Sequence, residues 1–434
     1  MPLFRNTVLM AMTTALRLAT GFVGFVLIAR HLGAVQFGTL TYWMTISFLA
    51  ALVVGFGSGP YMLKEIGANP QMRQSVVGGV GASKVLLTLA VGLVSLLATP
   101  FLGDHAVIYW CLLISAVADV VAEYVFCAFR GMNDYLTEVW FSTATSCIHL
   151  GLVVLTIWLG GNLEQVAATF MLSRVLAAVG AGVSYKKRFG IFGIRENWRD
   201  WKHALLGTKA YAADAFLTNV YSQMDSLLLN HLSGPGALGI YQAGLRVMQG
   251  LNSLAPILSN VYLPKLANEL KNNHDHSHTA RVLYAQLVGF GLTVALLFGL
   301  FSTPLIDALY GQSFSSLKPL LPWFGALLLL RLFASYYGIL LTASGQQATR
   351  AWSIGICLVI VVICGFYLIP AHGALGMVWS SLIATLALAT IYLMKTQKSH
   401  ANPRWSPPQF IFSAAGFVVV LALLACTYLS AQFV

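Results

Sequence analysis

The chain has 434 residues, of which 58% are hydrophobic and only 9% charged, with a formal net charge of +11. Soluble domains carry about a quarter of their residues charged, so this balance excludes an ordinary water-soluble fold and makes lipid the main solvent. The positive charge does not mark a nucleic-acid binder, because the basic residues fall in loops, where Lys and Arg orient membrane proteins, and no stripe of base-stacking aromatics accompanies them.

Backbone polar groups find no water in hydrocarbon, so a spanning chain must form helices or a closed barrel. Barrel strands alternate apolar and polar residues, whereas runs such as Val85–Ala98 and Phe417–Ala425 are continuously apolar. The sequence therefore predicts an all-α polytopic membrane protein. A span needs about 20 mostly apolar residues. On that basis spans are expected near 7–30, 40–63, 76–98, 106–129, 138–160, 164–185, 204–230, 240–264, 281–303, 317–342, 350–369 and 373–394, with a thirteenth, extra C-terminal one at 410–430. The N-terminus lacks the small-residue cleavage site of a signal peptide, so the first span is expected to stay.

With the N-terminus in the cytoplasm, eighteen Lys and Arg fall at inside loops and span edges, Lys84 being counted among them, against only Arg30 and Lys318 outside. This asymmetry obeys the positive-inside rule. The longest break between spans, 186–203, lies near the middle. There Ile194, Trp198 and Trp201 share a helical face beside Arg195, Arg199 and Lys202, the pattern of a helix lying on an anionic membrane surface. The expected organisation is an N-terminal lobe at 1–185, the amphipathic linker at 186–203, a C-terminal lobe at 204–396, and a cytoplasmic loop with the extra helix at 397–434. Ile28-Ala29-Arg30-His31-Leu32-Gly33 echoes Leu228-Leu229-Asn230-His231-Leu232-Ser233, and Gly38 and Gly239 each open the following span. Six spans per half make this a parallel repeat, with a substrate path between lobes.

Ionisable residues within spans are costly and are functional candidates by default. The cations are Arg17, Arg174, Lys209, Arg246 and Arg331; the acids are Asp119, Glu123, Asp214 and Asp225. Ser115, Asp119 and Glu123 recur every four residues. Asp214, Thr218, Tyr221 and Asp225 follow i, i+4, i+7, i+11, so each set lines one helix face. Arg17, Asp119, Arg174, Asp214 and Arg331 fall near mid-membrane, and Gly21 and Gly24 beside Arg17 leave room for a headgroup or another backbone. Lys209 is close enough to a helix end to snorkel. Arg331 and Arg174 could instead be neutralised by these acids as structural pairs. Guanidinium binds phosphate oxygens bidentately and stays charged, so the cations point to an anionic, phosphate-bearing substrate, with the acids as ion-coupling candidates.

Other signals are bland. The six cysteines lie in apolar segments without metal spacing and read as small packing residues. The His-rich run Asn273–His278 reads as a solvated loop, His149 as a packing residue, and no metal or cofactor is expected. There is no phosphate loop for ATP hydrolysis.

Several short motifs resemble Wzx-type flippases of O-antigen and polysaccharide repeat units. They are Ile28-Ala29-Arg30-His31-Leu32-Gly33 with Phe37-Gly38, Phe129-Arg130-Gly131, Tyr241-Gln242-Ala243, Leu263-Pro264-Lys265-Leu266, Leu309-Tyr310-Gly311, Ala343-Ser344-Gly345 and Gly373-Ala374-Leu375-Gly376. The resemblance implies the two-lobe fold of multidrug-and-toxin extruders. It implies alternating access that moves undecaprenyl-pyrophosphate-linked oligosaccharide to the periplasmic leaflet of a bacterial inner membrane, in O-antigen and lipopolysaccharide biosynthesis. It also implies coupling to a proton or sodium gradient and contact with polysaccharide polymerase and chain-length machinery. A thirteenth span departs from the usual twelve. Two rival readings fit the sequence less well. A cation-coupled multidrug exporter typically carries a first-span acid, which is absent beside Arg17. A lipid-linked glycosyltransferase or polymerase usually needs sizeable outer loops, and those here are short.

Overall fold

The computed structural model describes residues 2–68, 71, 73–132, 134–190, 198–272 and 275–397. Twelve α-helices cover most of them, and no strand occurs among the described residues. They are α1 (Pro2–Gly55), α2 (Ser58–Ala68), α3 (Arg73–Ala98), α4 (Ala106–Gly131), α5 (Tyr135–Trp158), α6 (Leu163–Phe189), α7 (Trp198–Asn252), α8 (Leu254–Lys271), α9 (Ser277–Leu300), α10 (Ser302–Leu309), α11 (Leu321–Ala343) and α12 (Gln347–Gln397). Among these, eight helical stretches are long and apolar enough to cross a membrane. The chain is a polytopic α-helical membrane protein.

Three helices are twice the length of one crossing because each is broken by one glycine rather than by a loop. Gly33 (φ 74°), Gly234 (φ 79°) and Gly373 (φ 56°) leave the helical region inside α1, α7 and α12. Positive φ is cheap only for glycine, so these three residues separate predicted spans 1 and 2, 7 and 8, and 11 and 12. The predicted thirteenth span and linker residues 191–197, including Ile194 and Arg195, lie outside the described residues. So do the side chains of Trp198, Arg199, Trp201 and Lys202.

The helices form two compact units. The first comprises residues 1–32 and 39–224; α4 packs mainly on α6 and α2, and α5 on α6. A buried cluster of Met62, Ile66, Val77, Val125, Phe129 and Tyr185 ties α2, α3, α4 and α6 together. The first part of α7 belongs here because small residues admit it. A Cβ on Gly207 would stand 2.6 Å from the Tyr61 ring, and one on Gly57 2.4 Å from the backbone of Tyr211 and Ala212. Helix α5 turns most of its length outward, with Trp140 (73% exposed) and Trp158 (80%) near its ends. At 1.5 Å per residue these indoles stand about 27 Å apart, the spacing of aromatic belts at the two faces of a bilayer.

The second unit comprises residues 33–38 and 225–434. Its axis is α11, a Leu-rich helix buried along most of its length, against which α8, α9 and α12 pack. Gly325 lets α11 approach α9: a Cβ there would meet Ala295 Cα at 2.9 Å.

Candidate functional site: a charged cavity in the first unit

A cavity of about 680 Å³ opens within the first unit, with walls from α1 to α7. The polar stripe of α4 lies on it: Ser115, Asp119 and Glu123 all line the cavity, together with Arg17 of α1 and Arg174 of α6. The α4–α6 contact, the most extensive in this unit, brings Asp119 and Arg174 together. Arg174 Nη1 donates to Asp119 Oδ1 at 3.0 Å, both side chains remaining accessible from the cavity at 38% and 58% exposure. An accessible pair of this kind contributes about 0–1 kcal/mol, so the arginine can be drawn to another anion at little cost. Arg17 is exposed and has no carboxylate partner among the described residues. Beside it, a Cβ on Gly21 would meet nothing within 4 Å, and one on Gly24 only Leu150 at 3.7 Å. There is room for a group larger than a side chain.

Glu123 is held differently. Arg130, one helical stretch further along α4, donates to Glu123 at 2.9 Å and to Glu138 at 2.6 Å, so one guanidinium bridges two carboxylates. Hydroxyls of Ser142, Thr145 and Ser146 on α5 complete the polar wall; those of Thr145 and Ser146 donate to their own helix, to the carbonyls of Phe141 and Ser142, leaving oxygen lone pairs for the cavity.

Sequence reasoning missed Lys84. It counts with the inner edge of span 3 but is only 6% exposed and lines this cavity. Its ammonium donates to the carbonyls of Val54 and Gly55 at 3.3 and 3.4 Å and lies 5.9 Å from the centre of the Tyr124 ring. The signal was available: Lys84 is followed by nineteen residues with no further charge, so its stem could reach only along the span. Its partners, backbone carbonyls from a helix thirty residues earlier, leave no trace in side-chain patterns.

The remaining candidates lie elsewhere. Asp225, Arg246 and Arg331 belong to the second unit and do not line this cavity. Asp225 accepts from Tyr241 Oη at 2.9 Å and from the backbone and hydroxyl of Ser226, whose Oγ in turn accepts from Gln242 at 2.6 Å. Arg331 stands within electrostatic range of Asp225 and Tyr241. Arg246 donates to Gln249 at 3.2 Å beside Tyr310, whose hydroxyl donates to the Ala243 carbonyl. Lys209 is exposed on α7, and the side chain of Asp214 is outside the described residues. His149 packs on Phe170 and bonds Ser173 at 2.8 Å. Asn273 and His274 of the His-rich loop are also outside the described residues.

The fold is that of known lipid and drug carriers. An inward closed conformation of the lipid II flippase MurJ matches at a TM-score of 0.65 and 17% identity, covering 98% of each chain. An inward-facing multidrug resistance MATE transporter of the MOP superfamily matches at 0.63 and 14%, covering 91% of this chain and 96% of the other. A MATE transporter of Vibrio cholerae matches at 0.54 and 18%, covering 92% and 97%. No curated protein matches the sequence. The family model described as polysaccharide biosynthesis protein matches residues 3–270, more than half of the sequence, and the chain belongs to that family.

Proposed function

We propose that this protein is a flippase for undecaprenyl-pyrophosphate-linked oligosaccharide, moving it from the cytoplasmic to the periplasmic leaflet of a bacterial inner membrane by alternating access of two six-span lobes divided at the 186–203 linker. The observation that carries the reading is the shared cavity of Arg17 and Arg174. Among the described residues one guanidinium stands without a carboxylate and the other is paired to an accessible one, so a diphosphate can engage the first and displace Asp119 from the second. Guanidinium suits this task because its fork matches phosphate oxygens and it never loses its charge. The hydroxylated wall of α5 offers acceptors to a sugar. The family assignment and the likeness to a lipid II flippase support the same class of cargo.

In this reading Asp119, Glu123, Asp214 and Asp225 are the carboxylates through which a proton or sodium gradient drives the cycle. Arg331 and Arg246 of the second unit and Lys209 of α7 are further cations proposed to bind the substrate. The N-terminus is cytoplasmic, and polysaccharide polymerase and chain-length proteins act on the delivered product. Deleting the gene should abolish surface polysaccharide while lipid-linked oligosaccharide accumulates, and plasmid-borne wild type should restore it. Arg17→Ala or Arg331→Ala should fail to restore it at normal protein levels, and lysine at either position should do so only partly. Normal surface polysaccharide in the deletion strain would end the proposal.

A further inference from the structure

Lys84 lines the cavity proposed for the substrate, but its ammonium is turned to the backbone at the end of α1. Helix α1 ends at Gly55, and a helix end leaves its last carbonyls without intrahelical donors and carries the negative end of the dipole. Leu52 O is satisfied by Phe56 N at 3.0 Å, and Gly55 O accepts from Ser58 Oγ at 2.8 Å. Lys84 supplies the donor at Val54 and a second one at Gly55. The turn that follows is strained, because Phe56 (φ 40°) and Gly57 (φ 61°) are both left-handed and Phe56 is not a glycine. Against this corner rests α7, whose backbone at Tyr211–Ala212 leaves no room for a Cβ on Gly57, and whose Ala212, Ala215 and Phe216 line the cavity.

A buried ammonium with no carboxylate at ion-pair distance among the described residues is an expensive object. Its surroundings are nevertheless those of a bound monovalent cation: two carbonyl oxygens, an aromatic face and, within electrostatic range, Glu123. Tyr124 is itself fixed by donating to Val77 O at 2.7 Å. We propose that Lys84 is a tethered cation filling a carbonyl cup at the α1–α2 corner, and that it acts as a positioning residue which holds the corner and the adjoining α7 wall in place for transport.

This inference rests on the transport reading for its consequence but not for its chemistry. A free alkylammonium should occupy the cup once the tether is cut. The test compares full-length wild type, K84A and K84M, purified and reconstituted, with methylammonium chloride against equal sodium chloride. K84M keeps the stem without the charge and leaves the cup blocked. Transport of lipid-linked oligosaccharide diphosphate should fall about tenfold in both variants. Methylammonium should recover several-fold in K84A alone, and should raise the melting temperature of K84A by several degrees while leaving wild type and K84M unmoved. Wild-type transport by K84M, or a methylammonium shift in K84A no larger than in wild type, would overturn the proposal. If wild type itself moves no lipid-linked oligosaccharide, the substrate reading fails and the melting shift still decides the role of Lys84.

Discussion

Gly38 and Gly239 face each other so closely that neither has room for a side chain, the place of a Cβ on each being filled by backbone of the other's helix. A Cβ on Gly38 would lie 1.7 Å from the carbonyl oxygen of Pro235, and one on Gly239 would lie 1.9 Å from that of Ala34. The two contacts are copies of one another: Gly38 and Gly239, Ala34 and Pro235, and the kink glycines Gly33 and Gly234 are each 201 positions apart. This is the faint internal repeat of the sequence made physical, two helix breaks of like geometry crossing backbone to backbone.

Gly38→Ala or Gly239→Ala should therefore destabilise the protein by about 1–3 kcal/mol, the range for overpacked sites, read as a lower melting temperature in detergent. Gly289→Ala in α9, where a Cβ meets nothing within 4 Å, should be neutral or slightly stabilising because alanine favours helix. The double variant should cost less than the two singles together, since both spoil one crossing.

Glu138 is the more buried partner of the Arg130 bridge, at 9% side-chain exposure against 51% for Glu123. Glu138→Gln should lower stability by about 1–3 kcal/mol, as expected when a mostly buried guanidinium loses one of its two charge-assisted partners. Glu123→Gln should cost under about 1 kcal/mol. Equal melting temperatures for the two variants would contradict this ranking.

The Asp119–Arg174 pair is accessible, so Asp119→Asn should leave the melting temperature nearly unchanged while altering how flipping responds to an imposed proton or sodium gradient. A normal gradient response in Asp119→Asn and Asp214→Asn alike would remove the coupling role. Restoration of activity by exchanging the charges of Asp119 and Arg174 would make the pair structural instead.

How far this was legible from the sequence depended on what kind of contact carried each feature. Apolar runs set the helices, and the four-residue spacing of Ser115, Asp119 and Glu123 is enough to place them on one wall. The likeness around Gly33 and Ser233 pointed to the repeat, though the kink falls at Gly234, one residue past the aligned serine. What was illegible depended on tertiary backbone contacts. The seven-residue step from Glu123 to Arg130 puts those two on one face of α4, but nothing in the spacing of charges tells that Arg130 also reaches Glu138 on α5, or that Lys84 caps α1. Span prediction also expects loops where Gly33, Gly234 and Gly373 merely bend continuous helices, because hydropathy dips equally at both.

Orientation gives a further test. With the N-terminus inside, the turn at Asp104 between α3 and α4 faces the periplasm, and Asn272 at the end of α8 faces the cytoplasm. In a variant lacking the native cysteines, D104C should react with an impermeant maleimide in intact spheroplasts and N272C only after permeabilisation. The reverse pattern would invert the topology drawn from the positive-inside count.

The central claim is that the cationic wall of the first-unit cavity carries a diphosphate-linked oligosaccharide across the bilayer. Its most direct test is leaflet exchange of fluorescent undecaprenyl-pyrophosphate-linked oligosaccharide in proteoliposomes containing wild type, Arg17→Ala, Arg17→Lys and Arg174→Ala at matched protein density. Losing a charge-assisted contact of about 1.5–3 kcal/mol predicts a fall of roughly tenfold or more for each alanine variant, with Arg17→Lys in between. It also predicts that the same oligosaccharide on a neutral polyprenol is not moved. Exchange at the wild-type rate by both alanine variants, or equal transport of the neutral lipid, would contradict it.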